Sequence, residues 1–598
     1  PAATGPDIAT LADLALAKAP ALAASVEFEA HEAALARVEA LATPIILRAL
    51  GELGWAPKVG DRVEAQALAT KLGVAARHHR LFARLLQILG ETGVVEADGA
   101  GWRVIAIPEA VDATAELDAL ARTAPSGAAA MASMTARVGA GLSGALVGDR
   151  EPMDLLFPAG ATDEAVRLYR DSAPAAIFNG MLAEAVSAAA AEGARNGRFE
   201  IMEIGAGTGG TTARVIERLP AENLGYLYTD IGATFVDKAQ DRFGHDPRMD
   251  FTTFDLEREL DGQNLEAGRY DLIIAANVVH ATADLRSSLA RIRSLLKPNG
   301  MLALMEVVEP QRWFDLTVGL TSGWWAFTDL DIRPDYPTLT ADGWRALLTE
   351  CGFDVAVAQP STLWPSGARE ALILARAKPA AWAVLADDEV FAGALAAEIE
   401  GSGGQACVIA PGPLAEQLAA LEAHAPAGVV VARSADADAA TAAADLAALA
   451  SALAERPSPP RLVVLTRGAQ SVAGETPTPQ QAPAWGVARS LALESPDLRT
   501  AVVDLDAARP LDEAAAVAAE LANASGETQV ALRDGKRLVA RLERRAVSAA
   551  KANEPAAWRL TPASAGSYDA FVRAPLTRRA PGRGEVEIET LAWGLNFK

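Results

Sequence analysis

Residues 199–212 read Phe199-Glu200-Ile201-Met202-Glu203-Ile204-Gly205-Ala206-Gly207-Thr208-Gly209-Gly210-Thr211-Thr212. An apolar strand runs straight into a glycine loop, and the residues from Thr211 onward favour a helix. Glycine lets the backbone turn sharply and approach a ligand with no Cβ in the way. The helix that follows presents free N–H groups at its start. Strand, glycine loop and helix in this order predict a nucleotide site at the edge of an α/β sheet. Gly205, Gly207 and Gly210 also satisfy the dinucleotide pattern GxGxxG, which is weak when taken alone.

The neighbours of the loop separate two nucleotide ligands. Glu203 precedes the first glycine, where a carboxylate suits a ligand with an ammonium group. Asp230 ends the next apolar run, Leu227-Tyr228-Thr229-Asp230, and is placed to accept from both ribose hydroxyls. It lies about 20 residues past the loop, as a dinucleotide site also expects. Asp255 and Leu256 end the third run, at the adenine position, and Asn277 follows the fourth. Such strand-end residues line one crevice in an open α/β sheet. The set favours S-adenosylmethionine, held by Glu203, Gly205, Gly207, Asp230, Asp255, Leu256 and Asn277. A nicotinamide dinucleotide is the competing ligand, and incidental acids at an ordinary strand–turn–helix junction are the plain alternative.

Around this loop, apolar strands alternate with helical segments from about 198 to 376. The strand candidates are 199–204, 224–229, 249–253, 272–276, 301–306 and 371–375. That alternation predicts a parallel sheet with helices on both faces. A second alternating region opens at Pro379, with strands expected at 382–385, 406–409, 428–431, 461–465 and 500–503 and a hairpin around Asp534-Gly535. Upstream, residues 26–150 are mainly helical. Ile45, Ile46, Leu47, Leu50 and Leu53 share one helix face, and Leu81, Leu85, Leu86 and Leu89 another. Gly93–Val104 reads as two short strands around a glycine-rich turn, so this part resembles a winged-helix unit, with a helical lid as its expected role.

At 598 residues the chain is expected to hold about three to five domains. It is 51% apolar and 22% charged, with a net charge of −23. No Lys/Arg cluster reads as a nucleic-acid path, which argues against nucleic acid as a partner. Cys351 and Cys407 are expected to be reduced and buried, and no metal ligand set is evident. No apolar run is expected to span a bilayer, and no signal peptide is evident. The chain starts at Pro1 and stops within what reads as a unit, so we expect a piece of a larger cytoplasmic protein.

Several segments together resemble the C-methyltransferase domain of polyketide synthases. They are Ile204–Thr212, Tyr228–Ile231, Phe235–Ala239, Ala276-Asn277-Val278-Val279-His280-Ala281-Thr282, Leu295–Gly300, Glu306–Pro310 with Trp313, and Gly323-Trp324-Trp325-Ala326-Phe327-Thr328-Asp329. Leu156-Phe157-Pro158 and Tyr169-Arg170-Asp171-Ser172 also fit. The resemblance covers about 25–378. Arg461–Gly468, Ala484–Leu491, Glu494–Pro496 and Val503–Leu505 resemble the structural half of a ketoreductase. The first strand of that region lacks a glycine loop and no Tyr-x-x-x-Lys or Tyr-x-x-x-Asn pair follows, so it is expected to be noncatalytic. Gly584–Glu589 and Gly594–Phe597 look like the opening of an enoylreductase.

The resemblance implies a class I Rossmann-like methyltransferase core with a helical N-terminal lid, followed by a truncated Rossmann-like domain. The expected boundaries are a tail over 1–25, a lid over 26–195, a catalytic core over 196–378, a pseudo-ketoreductase over 379–548, and a linker with the start of an enoylreductase over 549–598. It implies methylation of the α-carbon of a β-ketoacyl chain on an acyl carrier protein. Neighbouring dehydratase, enoylreductase and ketoreductase domains would be its partners. Such a reaction needs a base, and histidine suits it near neutral pH. His280 follows the fourth strand and is expected to be that base. Glu306 ends the adjacent strand and would orient the imidazole. Tyr169 and Asn179 are candidates to cover the donor or position the enolate. Trp324 and Phe327 would line the acyl tunnel or fill core. An O-methyltransferase on the same scaffold and a nonenzymatic scaffold are the alternative functions.

Overall fold

The computed structural model describes residues 7–542, apart from 162, 259, 261, 264, 365–366, 379–380, 434–437, 457–458, 473, 508–512 and 523–526, and then residues 558–563 and 571–588. The chain forms two compact units, Pro1–Val539 and Ala540–Lys598.

The first unit contains the sheet that the glycine loop predicted. Its strands are β1 (Phe199–Ile204), β2 (Leu224–Asp230), β3 (Met249–Thr253), β4 (Tyr270–Ala276), β5 (Leu296–Val307), β6 (Phe353–Ala358) and β7 (Glu370–Ala377). They lie in the order β3-β2-β1-β4-β5-β7-β6. β7 runs antiparallel to both of its neighbours, whereas the pairs from β3 to β5 are parallel. This is the topology expected of a class I Rossmann-like methyltransferase core. β6 was not among the expected strands, because Phe353-Asp354-Val355-Ala356-Val357-Ala358 is short and mixed, with the exposed Asp354 following the buried Phe353.

Successive side chains of a strand point to opposite faces, so each central strand feeds two cores. Ile201, Leu272, Ala303 and Leu374 pack on one face with helices Ile8–Ala24 and Ala173–Gly193. Met202, Ile273, Leu304 and Ile373 pack on the other with helices Leu285–Leu295 and Ala341–Glu350. The expectation of a tail over 1–25 is therefore corrected. Ile8, Leu11, Ala12, Ala15 and Ala19 are buried along one side of a regular helix. Alanine stacks closely at such a contact, and its weak hydropathic contrast hid the helix from periodicity. Helix Ala173–Gly193 corrects a second expectation. It is long and apolar enough to cross a membrane, with a mean hydropathy of 1.2. Its apolar character is used within the protein, where Ile177, Met181, Leu182 and Val186 are wholly buried against the sheet.

The lid has its own core. Helices Phe28–Glu52 and His79–Glu91 bury the expected faces at Ile45, Ile46 and Leu50 and at Leu81, Leu85, Leu86 and Leu89, with Leu47 and Leu53 only partly buried, and helix Ser126–Val147 packs into the same core. Val95–Asp98 and Gly101–Val104 form the predicted hairpin, and Arg62–Val63 completes a three-stranded sheet. Trp313, Phe314, Trp324, Trp325 and Phe327 lie after β5 in sequence but pack into this lid core. The lid is thus stitched to the catalytic sheet from both sides of the chain.

A second seven-stranded sheet follows, with strands β8 (Ala381–Ala386), β9 (Gln405–Ile409), β10 (Gly428–Ala432), β11 (Arg461–Arg467), β12 (Ala501–Leu505), β13 (Gln529–Arg533) and β14 (Lys536–Val539). Their order is β9-β8-β10-β11-β12-β13-β14, parallel except for the final hairpin. After β8 the chain reads Asp387-Asp388-Glu389. Asp388 caps the next helix through the Phe391 N–H at 3.1 Å, and Asp387 pairs with Arg433 at 3.0 Å. Cys351 and Cys407 are free thiols, but half-buried rather than buried as expected.

In the second unit Trp558–Pro562 pairs antiparallel with Phe571–Pro575. The Gly584–Glu589 segment, which resembles the opening of an enoylreductase, follows this pair in the chain. Residues 585–588 have no regular structure, and 589–591, the expected linker before Trp558 and the Gly594–Phe597 motif lie outside the described residues.

Candidate active site

At the carboxyl ends of β1, β4 and β5, beneath the lid, lies a cavity of about 280 Å³. The glycine loop forms its floor. Gly205 and Gly207 have φ values of +62° and +56°. A Cβ on Gly205 would fall 2.3 Å from the Val278 side chain, so the loop requires glycine there. Asn179, on helix Ala173–Gly193, ties loop to lid. Its Oδ1 accepts from the Thr211 hydroxyl at 2.7 Å, and its Nδ2 donates to the Tyr169 carbonyl at 3.2 Å.

Glu203 lines this cavity and is 1% exposed. Its Oε2 accepts from the Thr212 hydroxyl at 2.5 Å and from the Tyr226 hydroxyl at 2.6 Å. Oε1 is buried with no hydrogen-bond partner among the described residues. Desolvation pushes the carboxyl up to about 7, against the two hydroxyl hydrogen bonds. A half-satisfied buried carboxylate is costly unless something cationic meets it, and the ammonium of S-adenosylmethionine is such a group. The orphaned oxygen and the glycine cradle therefore fit the donor.

Asp230 ends β2 and is held by the loop itself. Its Oδ2 accepts from the Gly207 N–H at 2.9 Å and its Oδ1 from the Gly232 N–H at 2.8 Å. Asp255 and Leu256 follow β3, where Asp255 accepts from the Glu257 N–H at 2.9 Å. These three continue the carboxyl edge of the sheet but do not line the cavity. Asn277 does line it. It sits in the left-handed region at φ +54°, and its Oδ1 accepts from the Val307 N–H at 3.0 Å, which locks the end of β4 to the end of β5.

His280 and Glu306 are brought together as expected. The imidazole Nδ1 bonds to Glu306 Oε2, while Glu306 Oε1 accepts from the Val279 N–H at 3.0 Å and the His280 N–H at 3.3 Å. Among the described residues no group bonds to His280 Nε2. The pair lies across the sheet edge from the cavity. Met305 and Val307 point into the cavity, and Glu306, between them, points to the other face. Phe314 lines the cavity, and Trp324 stands between it and the base, with ring centroids 5.3 Å from both Phe314 and His280. Among the described residues the buried Trp324 indole N–H has no acceptor. Phe327 lies away from the cavity, with Arg80 4.6 Å and Arg333 5.1 Å from its ring centroid.

Sequence reasoning missed two residues here. Arg333 is buried and holds the His280 loop from below, in a segment with no motif to mark it. Glu370 opens β7 and lines the cavity. It was hidden because a charged residue at the start of a strand reads as a solvated end. Among the described residues no Cys, His, Asp or Glu cluster could hold a metal.

Residues 202–302 match the methyltransferase domain family, and residues 371–542 match the Rossmann fold domain of the polyketide synthase extender module SpnB. Over 62% of its length the chain superposes on the CurJ carbon methyltransferase, with a TM-score of 0.57 and 34% identity, and covers 99% of that structure. The chain belongs to the polyketide synthase carbon methyltransferases. The DszA carbon methyltransferase is also similar, at 31% identity and a TM-score of 0.53, with 94% of it covered. Among curated proteins, the chain is 37% identical over 216 residues to polyketide synthase PksR of Bacillus subtilis, which is 35% of this chain. It is 33% identical over 350 residues to polyketide synthase ThaG of Burkholderia thailandensis, which is 54% of this chain. The chain spans only 8% and 6% of those two synthases. This carbon methyltransferase depends on S-adenosylmethionine.

Proposed function

We propose that this carbon methyltransferase methylates the α-carbon of a β-ketoacyl thioester carried on an acyl carrier protein, within a multidomain synthase that also holds dehydratase, enoylreductase and ketoreductase domains. The observation that carries the reading is the buried bond between His280 Nδ1 and Glu306. Bound S-adenosylmethionine supplies an already activated methyl group, so the protein's task is to make the nucleophile. A carbon flanked by a ketone and a thioester is acidic enough for a positioned base. Glu306 holds Nδ1, which fixes the tautomer and leaves Nε2 as the basic nitrogen. Nε2 takes the α-proton, and the buried carboxylate stabilises the imidazolium that forms.

Glu203 and the glycine loop hold the donor end of the cavity. Asp230, Asp255 and Leu256 complete the row for ribose and adenine. Tyr169 and Asn179 close over the loop, which keeps the reactants aligned and water out. The second sheet serves as a scaffold, since its first strand runs into Asp387 and Asp388 where a pyrophosphate would need N–H donors and glycines. Mass spectrometry of a carrier-bound β-ketoacyl substrate incubated with the donor, followed by localisation of the new methyl, tests the proposal. Methyl on carbon supports it. Methyl on oxygen, or none, overturns it.

A further inference from the structure

One carboxyl group in the cavity has no place in the chemistry above. Glu370 is the first residue of β7 and pairs directly with Val307 on β5. Val307 is the residue whose N–H Asn277 holds. Opposed residues on antiparallel strands have Cβ atoms about 5 Å apart, so Glu370 stands beside Val307 on the cavity side. The sheet edge thus carries Asn277, Val307 and Glu370 on the cavity side and the His280–Glu306 pair directly across it. Toward the lid the same cavity is apolar, lined by Leu35, Met131, Leu168 and Phe314.

Among the described residues the Glu370 carboxyl makes no hydrogen bond and no ion pair. Its chain neighbour Arg369 pairs with Glu32 at 3.0 Å. The other titratable groups facing it are Tyr169 from helix Asp163–Asp171, His31 from helix Phe28–Glu52 and Glu203 across the cavity, while Glu306, one step along the adjacent strand and on the other face of the sheet, acts on it only through its charge. Burial and the Glu306 charge push its carboxyl up to about 7. Desolvation and the Glu370 charge raise the Tyr169 phenol to about 12. A carboxylic acid in an apolar site can serve as a hydrogen-bond donor to a developing oxyanion.

We propose that Glu370 is an acceptor-binding residue that, as a neutral acid, donates a hydrogen bond to the β-oxygen of the acyl substrate. The assignment rests on the β-ketoacyl reading above. When the α C–H bond breaks, its proton goes to His280 Nε2 and its electron pair spreads onto the oxygen that Glu370 holds. Glu370 keeps its own proton, and no oxidant or reductant is needed. Removing one such donor costs about 10²-fold in rate.

The test uses the whole chain with S-adenosylmethionine and a small β-ketoacyl thioester, comparing wild type, Glu370→Gln and Glu370→Leu across neutral pH. In wild type kcat falls as pH rises through about 7, where the acid is lost. Glu370→Leu lowers kcat by about 10²-fold, with donor affinity by calorimetry unchanged. Glu370→Gln still offers an N–H donor. It recovers a large part of that loss and no longer shows the alkaline fall. Wild-type kcat in Glu370→Leu, or an alkaline fall that persists in Glu370→Gln, overturns the assignment alone. So does a variant that loses donor affinity but not kcat, which would make Glu370 a counter-charge for the donor. A wild-type protein that binds the donor but methylates no β-ketoacyl thioester overturns the acyl reading and this assignment together. Should Glu370→Leu fail to fold, the Glu370→Gln pH profile decides.

Discussion

The guanidinium of Arg333 donates to the backbone carbonyl of His280 at 2.7 Å, from a position only 1% exposed. It also donates to Thr282 O at 2.8 Å, and its Nε bonds Asp329 at 2.7 Å. One planar cation therefore clips the turn that carries the base to the segment after Phe327. Arg333→Met leaves Asp329 buried without its partner, at a cost of about 3–5 kcal/mol, read by chemical denaturation. Arg333→Lys keeps the charge but not the fork. We expect it to lower kcat while donor affinity holds, as turnover assays and calorimetry on one preparation will show.

His280→Ala removes the base without touching the donor end of the cavity. Methyl transfer should drop by about 10²–10⁴-fold, and calorimetric binding of S-adenosylmethionine should be unchanged. Glu306→Gln should show a smaller loss, because the imidazole survives but its tautomer is no longer fixed. Undiminished transfer in His280→Ala would remove the pair from the mechanism.

Glu203 makes donor binding pH-dependent. Its carboxyl is pushed up to about 7 in the free protein by burial, and a cationic ligand favours the ionised form. Donor affinity should rise with pH up to about 7 and then level, with a proton released on binding that calorimetry in two buffers detects. The sign for stability is opposite. The folded carboxyl binds its proton more tightly than the unfolded one, so donor-free protein loses stability as pH rises from the unfolded value toward 7. Glu203→Gln should flatten both dependences and weaken donor binding.

Gly205→Ala asks an L-residue to hold φ +62° with its Cβ 2.3 Å from Val278. The strain alone is worth about 1–3 kcal/mol, and relieving it must shift the loop. We expect a lowered melting temperature and donor binding below detection. Gly54→Ala, also at positive φ but with no atom of the described residues within 4 Å of the added Cβ, should lower the melting temperature without affecting donor binding.

Where local chemistry sets conformation, the sequence was legible. Strands β1 to β5 and β7, the glycine loop and the lid hairpin follow from apolar runs and turn residues. The pairing of His280 with Glu306 followed from one topological rule, that adjacent parallel strands end side by side. Helix Ile8–Ala24 escaped because alanine carries little hydropathic contrast, and β6 because its pattern is short and mixed.

By itself the sequence determined the nucleotide edge, the two doubly wound units and the residues at the strand ends, all of which depend on neighbours within a few positions. Only the tertiary structure decided which side of the sheet each group serves. Side chains alternate along β5, so Met305 and Val307 face the cavity while Glu306 faces His280, and a single step along the strand separates donor chamber from base. Only the antiparallel register set Glu370 beside Val307, and only packing carried Arg333 beneath His280 and Trp324 between His280 and Phe314. Those contacts join segments distant in the chain, and no local preference encodes them.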